Sequence, residues 1–138
     1  MKSFETQIRV EYHHTDQMGI VHHSNYIKWM EEARVDFLDK IGFGFDKIEA
    51  MGILSPVTAV ECHYKNTTKF ADVITIDVWV EQFKGARLRI NYLMKNTQGE
   101  TVCEGASEHC FVDTDGKIII LKRTHPHIYS AIAAHIKE

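Results

Sequence analysis

Long apolar runs are missing from this chain. Nowhere do 18 apolar residues follow one another, so no membrane-spanning helix and no membrane insertion are expected. The opening M-K-S-F-E-T-Q-I-R-V lacks the apolar stretch of a secretory signal. Cysteine is scarce and odd in number. Cys62, Cys103 and Cys110 cannot all pair, and no Cys-x-x-Cys occurs. That usage excludes a disulfide scaffold and predicts reduced thiols in a cytoplasmic protein. Proline is limited to Pro56 and Pro126, neither in a loop rich in Gly or Ser, and no repeat or low-complexity segment is found. Neither sign of charge dominates. With 16 Lys and Arg against 19 Asp and Glu, the net charge is -3, which gives no general attraction to nucleic acid or to an anionic membrane.

What is present suits one globular domain over residues 1–138, with 44% hydrophobic and 25% charged residues. A chain of this length buries roughly two-thirds of its unfolded surface, enough for a core without staples.

Periodicity supplies the elements. Ile8, Val10 and Tyr12 alternate with Arg9 and Glu11, which predicts a first strand over about residues 5–13. The loop H-T-D-Q-M-G-I-V-H-H-S-N follows, with Gly19 as its expected positive-φ residue. From Ser24 the apolar spacing turns helical through Tyr26, Met30, Ala33, Phe37 and Ile41. Ile27, Trp29 and Leu38 widen that face, so the helix is expected to be enclosed by the rest of the protein. Ser24 is its expected cap and Gly42 its expected left-handed end.

Six further stretches carry a signal. Ser55 to Asn66 is rich in Val, Thr, Tyr and Cys and predicts a strand. Ile74–Val80 and Arg87–Lys95 alternate around F-K-G-A, a hairpin signal with Gly85. T-V-C-E-G-A-S-E-H-C-F-V follows as the next hairpin partner, and its small face of Cys103, Gly105 and Ser107 would let a helix approach closely. D-T-D-G-K predicts a tight turn, and Thr124 a cap on a short helix bearing Ile128, Ile132 and Ile136. Four strands in hairpin succession are antiparallel, and a curved sheet wrapped around one long helix would bury that helix. The fold class is α+β.

Titratable groups crowd the first loop. His13, His14, Asp16, His22 and His23 lie between Tyr12 and Tyr26, where the helix begins. Helix N-termini carry unpaired N–H donors and partial positive charge, so a carboxylate there can do acid–base or nucleophilic work beside an oxyanion site. The plain reading of an Asp before a Gly-containing turn is a residue that bonds the backbone. Adjacent histidines on a strand would face opposite ways. A zinc site is disfavoured, because these residues lack the paired short spacings of structural zinc ligands and no Cys is near. No G-x-S-x-G elbow is present.

The run Y-H-H-T-D-Q-M-G-I-V-H-H-S-N-Y, followed by W-M-E-E-A-R, resembles the signature of hotdog-fold acyl-CoA thioesterases, nearest the 4-hydroxybenzoyl-CoA thioesterase-like group. The order of elements resembles the hotdog order as well. The resemblance implies that Asp16 is the catalytic carboxylate, as nucleophile or as base for water. It implies that the His23 backbone N–H binds the thioester carbonyl oxygen, that the His23 side chain matches a branch-specific histidine, and that Tyr12 assists as a lining aromatic. Gly19, Tyr26, Lys84 and Arg87 are the expected substrate-binding positions, with the coenzyme A nucleotide near Lys84. Gln17, Met18 and His22 depart from the usual pattern. An acyl-CoA substrate, no cofactor and no metal are implied, with assembly as a homodimer or homotetramer.

The chemistry suits a lone carboxylate. A thiolate leaves with little acid help, since an ordinary thiol pKa is about 8.5. Two other readings stand beside this one: a non-catalytic acyl-thioester-binding hotdog module, and a histidine metal protein. Structural roles are expected for Arg34, the three cysteines, His63 and His109, and a solvated face for Glu31, Glu32 and Lys28.

Overall fold

A computed structural model of the protein describes residues 4–137. Five strands form one antiparallel sheet: β1 (Phe4–Arg9), β2 (Val57–Tyr64), β3 (Val73–Phe83), β4 (Arg87–Lys95) and β5 (Thr101–Cys110). The long helix α1 (Ser24–Lys40) packs on one face, with short helices α2 (Phe45–Ala50), α3 (Leu121–Thr124) and α4 (Pro126–Ala133) around it. This is the curved α+β arrangement expected from the residue pattern.

Strand order is β1-β3-β4-β5-β2, and this corrects the expectation of four successive hairpins. β2 does not pair with β3. It lies at the far edge on β5, while β1 takes the free edge of β3. The connection through residues 65–72 is fastened across the end of the sheet instead. The Thr68 carbonyl accepts the Val21 N–H at 2.9 Å, and the Val10 carbonyl accepts the Ala71 N–H at 3.0 Å. That crossing carries chain beneath the first turn of α1.

Alternation on β3 and β4 buries Ile74, Ile76, Val78 and Val80 with Leu88, Ile90, Tyr92 and Met94. Tyr26, Trp29, Met30, Ala33, Phe37 and Leu38 of α1 close over them. A Cβ on Gly105 would lie 2.7 Å from the Met30 Sδ, so the small face of β5 does admit the helix closely. The helix ends as expected at Gly42 (φ 93°): the Gly42 N–H bonds the Asp39 carbonyl and the Phe43 N–H bonds the Leu38 carbonyl.

Four local expectations are corrected. The first strand stops at Arg9, because Tyr12–His14 turn into a short 3-10 helix; His13 and His14 therefore stack, ring centroids 4.4 Å apart, rather than facing opposite ways. Ser24 is the first helical residue and not the cap; its Oγ lies 2.8 Å from His22 Nδ1. Thr124 closes α3, while His125 and Pro126 open α4, whose Ile128 and Ile132 are buried as expected. Finally, α1 is not fully enclosed: among the described residues, Ile27 stays 41% exposed and Val35 40% exposed.

Candidate active site

Local bonding explains how Asp16 is presented. The Asp16 N–H donates to the Ile20 carbonyl at 3.0 Å and the Gly19 N–H to the Asp16 carbonyl at 2.9 Å, closing a tight turn. Gly19 has φ 78°, a conformation that favours glycine. The Asp16 Oδ1 accepts the Met18 N–H at 2.8 Å. So one carboxylate oxygen holds the turn, and the other has no partner among the described residues.

The helix start is built next to it. Asn25, buried, donates from Nδ2 to the His14 carbonyl at 2.8 Å, tying the 3-10 turn to α1. From Val21 to Tyr26, every backbone N–H but one has an acceptor among the described residues: Val21 on Thr68, His22 on His14, Ser24 on His22 Nδ1, Asn25 on His22, Tyr26 on His23. The exception is His23. Its carbonyl in turn accepts the Tyr64 hydroxyl at 3.2 Å.

These groups share a cavity of about 330 Å³, walled by Asp16, His23, Tyr26 and Tyr64 and by Lys65–Thr67 of the crossing connection. Tyr26 donates to or accepts from Thr68 Oγ1 at 2.8 Å, and burial pushes its phenol above the ordinary value. Burial also pushes Tyr64 up to about 12, so both phenols stay neutral.

The structure thus brings Asp16, His23 and Tyr26 together. It sets Tyr12 apart: that ring is 76% exposed and meets Phe70 edge to face at 5.6 Å. Gly19 shapes the turn without walling the cavity. Lys84 and Arg87 lie in a separate groove of about 430 Å³ beside Thr58, Arg89 and His109, at the opposite end of β2 from Tyr64. Arg89 is engaged by Glu61, Glu81 and Glu108, whereas Lys84 and Arg87 have no carboxylate partner among the described residues. Sequence reasoning missed Tyr64 and the Asn66–Thr67 wall. The alternation of Val60, Cys62 and Tyr64 could have placed Tyr64 on the inner face, but the crossing connection had no local signal. Among the described residues no cluster suited to a metal ion is found, and no helix is long and apolar enough to cross a membrane.

An antiparallel sheet of this order curved around one long helix is the hotdog arrangement. The sequence profile of the Thioesterase-like superfamily (4HBT_2) matches residues 10–133, and the chain belongs to that family. It is 33% identical over 126 residues to a putative acyl-CoA thioesterase, YneP, of Bacillus subtilis (strain 168), covering 91% of each chain. To the acyl-CoA thioesterase YbgC of Haemophilus influenzae it is 29% identical over 96 residues, covering 68% of this chain and 71% of the other. The crystal structure of DHNA-CoA thioesterase from Staphylococcus aureus superposes with a TM-score of 0.91 at 33% identity, covering 97% of this chain and 91% of that one.

Proposed function

We propose that this protein hydrolyses acyl-CoA thioesters to the free acid and coenzyme A, with Asp16 as the reacting carboxylate. One observation carries the reading. Asp16 and His23, whose amide has no acceptor among the described residues, line one cavity at the positive end of α1. A thioester carbonyl oxygen seated on that amide gains stabilisation as negative charge develops on it. The second Asp16 oxygen then attacks the carbonyl carbon, giving an anhydride that water opens to free the acid and Asp16, or takes a proton from the water that attacks it. Either way the carbon–sulfur bond breaks and the thiolate departs to be protonated by solvent. Relatives named acyl-CoA thioesterases over most of the chain favour catalysis over binding alone.

The site is completed by a second copy of the chain. β2 is an edge strand with no strand beside its outer backbone groups among the described residues. Val57 and Val60 on it are 48% and 43% exposed, next to the exposed Ile27 of α1. Antiparallel pairing of two β2 edges about a two-fold axis sets the Tyr64 end of one copy beside the Val57 end of the other. The Lys84 and Arg87 groove of one copy then borders the Asp16 cavity of the other, where it can take the phosphates of coenzyme A. The assembly is a homodimer, or a homotetramer built from it. Tyr12 contributes to the mouth rather than to the chemistry. The free thiols of Cys62, Cys103 and Cys110 fit a cytoplasmic setting.

A thiol-release screen over CoA esters of aryl, short and long acyl groups, with Asp16→Asn as control, tests the proposal. Cleavage by the wild type and none by the variant is expected. Equal cleavage by both would overturn it.

A further inference from the structure

Three sulfurs meet beneath α1. Cys62 of β2 is half-buried and faces the helix, its Sγ 3.5 Å from the Met30 Sδ. Cys103 of β5 is fully buried in the core on the same face and lies within hydrogen-bonding reach of Cys62. The strand register explains the meeting. Gly105 stands directly opposite Cys62 and has no side chain, so the sulfur that Cys62 meets on β5 is the diagonal one, two residues away. Directly opposite Cys103 is Tyr64, which walls the Asp16 cavity.

A buried cysteine usually serves packing alone. These two are unlike each other in a way that packing does not require. Cys103 keeps its proton, because its hydrogen bond to Cys62 and then burial push its thiol up. Cys62 is drawn down to about 7, first because Cys103 donates to it and, against the cost of burial, because the Tyr64 hydroxyl does as well. A reactive thiolate therefore stands beside a protonated partner thiol. The Tyr64 hydroxyl also lies 3.2 Å from the His23 carbonyl oxygen, so the sulfur pair and the start of α1 share one phenol.

We infer that Cys62 and Cys103 form a reversible oxidation site for peroxide, and that closing their disulfide shifts Tyr64 and shuts the Asp16 cavity. The Cys62 thiolate attacks one peroxide oxygen, the oxygen–oxygen bond breaks and hydroxide leaves, so Cys62 becomes a sulfenic acid. The hydroxide takes up the proton that Cys62 had given to solvent. The Cys103 sulfur then attacks the Cys62 sulfur, the sulfur–oxygen bond breaks, and the Cys103 proton departs with that oxygen as water. Both thiols are oxidised to one disulfide, and the peroxide is reduced to water.

Strand geometry makes the bond consequential. Diagonal neighbours on antiparallel strands have Cα atoms about 7–8 Å apart. A disulfide usually joins Cα atoms about 4.4–6.8 Å apart. Closure therefore draws β2 and β5 together beside Tyr64, and β2, an edge strand among the described residues, is the one free to move. The Lys65 and Asn66 N–H groups lie next to that shift, since both donate to the carbonyl of Val102, at 2.9 and 3.3 Å. A bridge that distorts the strands is strained and readily reduced, as suits a transient disulfide among free thiols. The effect on turnover rests on the reading of Asp16 and His23 as the thioester site; the bridge and the shift do not.

The test treats the full chain with a small excess of hydrogen peroxide. Peptide mapping of the wild type and of Cys110→Ser should recover Cys62 joined to Cys103, with both thiol hydrogens lost. Cys62→Ser should form no bridge, and Cys103→Ser should hold a Cys62 sulfenic acid that dimedone traps. Should Cys103→Ser not fold, Cys62→Ser, at the half-buried position, carries the control. Amide exchange at Lys65 and Asn66 should speed by at least about tenfold in the bridged chain and return with dithiothreitol. Thiol release from an acyl-CoA should fall by about tenfold or more, in keeping with a small misplacement of the site, while Cys62→Ser keeps its own rate through the same treatment. Oxygen retained on Cys62 or Met30 of the wild type, with no bridge, overturns the proposal. So does a bridged chain whose Lys65 and Asn66 exchange matches the reduced one. Exchange needs no substrate, so a chain that bridges and shifts yet releases no thiol before oxidation upholds this site and defeats the hydrolase reading alone.

Discussion

The Sδ of Met30 occupies the place that a side chain on Gly105 would need, 2.7 Å from an ideal Cβ, with the Glu61 carbonyl oxygen 3.2 Å away on another side. The helix therefore rides on β5 at a distance only glycine permits. Gly105→Ala is expected to destabilise the fold by about 1–3 kcal/mol, the usual range for overpacking. Urea unfolding should show a lower midpoint at unchanged slope. In a Met30→Ala background the same alanine should cost markedly less, and an equal cost in both backgrounds would show that the sulfur is not the obstacle.

Asp16→Asn separates chemistry from architecture. Asparagine keeps an Oδ1 that can accept the Met18 N–H, so the turn survives and unfolding should shift by no more than about 0.5 kcal/mol. Thiol release should fall by at least about 100-fold, the scale of a lost general base or nucleophile. Repeated turnover by the wild type in ¹⁸O water then tests one route: label recovered in Asp16 marks an anhydride opened at the Asp16 carbonyl carbon.

Much of this arrangement was legible in the residues, and the exceptions have physical causes. Alternation on β3 and β4 and the helical stripe of α1 are local patterns, set by which face is buried. Gly19 and Gly42 announced their left-handed turns for the same reason. Asp16 and His23, which line one cavity, were singled out because motif and helix start coincide in sequence. The position of β2 was not legible. Its side chains are mostly exposed, so no burial pattern marks its neighbour, and pairing with β5 rather than β3 depends on where residues 65–72 are anchored. Tyr64 and Thr67 joined the site only through that long-range choice. The 3-10 turn at Tyr12–His14 was hidden by residues that alternate like a strand. Glu31 stands on the exposed face with Lys28 as expected, and in addition pairs with Arg34 at 2.8 Å, a contact that spacing did not single out.

Lys84 and Arg87 should act on binding and not on the chemical step. Alanine at both is expected to raise KM for an acyl-CoA by roughly tenfold with kcat nearly unchanged, and to flatten the dependence of KM on salt, as for screened phosphate contacts. Arg89→Ala is the contrast. That guanidinium is already shared by Glu61, Glu81 and Glu108, so its loss should leave KM alone. Matching KM effects from all three cations would reject the assignment of the groove.

The β2 edge gives a prediction about assembly. Val57→Lys with Val60→Lys places two charges on the exposed apolar strip of that strand. Sedimentation should change from dimer or larger to monomer, with far-UV circular dichroism retained, and activity should drop in step. A wild type that is already a fully active monomer at micromolar concentration would remove the second copy from the site.

His109 ties stability to pH. Burial first, then the Arg34 charge, lower its pKa from the usual 6.5 to about 3. The folded state therefore holds a neutral ring where the unfolded chain binds a proton. Its contribution is fully present above pH 6.5 and is lost as pH falls toward 3, with stability rising with pH in that window. Each pKa unit is worth about 1.4 kcal/mol, so the loss across the window is of the order of a few kcal/mol. His14, lowered by burial and by His13, adds in the same direction. Urea unfolding at intervals from pH 7 to pH 4 should give a falling midpoint. His109→Gln keeps a side chain that can accept from Arg34 and donate to Ser107, but it cannot take up a proton. Its pH dependence should be shallower by close to one proton, whatever its absolute stability, and a slope identical to the wild type would mean that His109 is already charged in the folded protein.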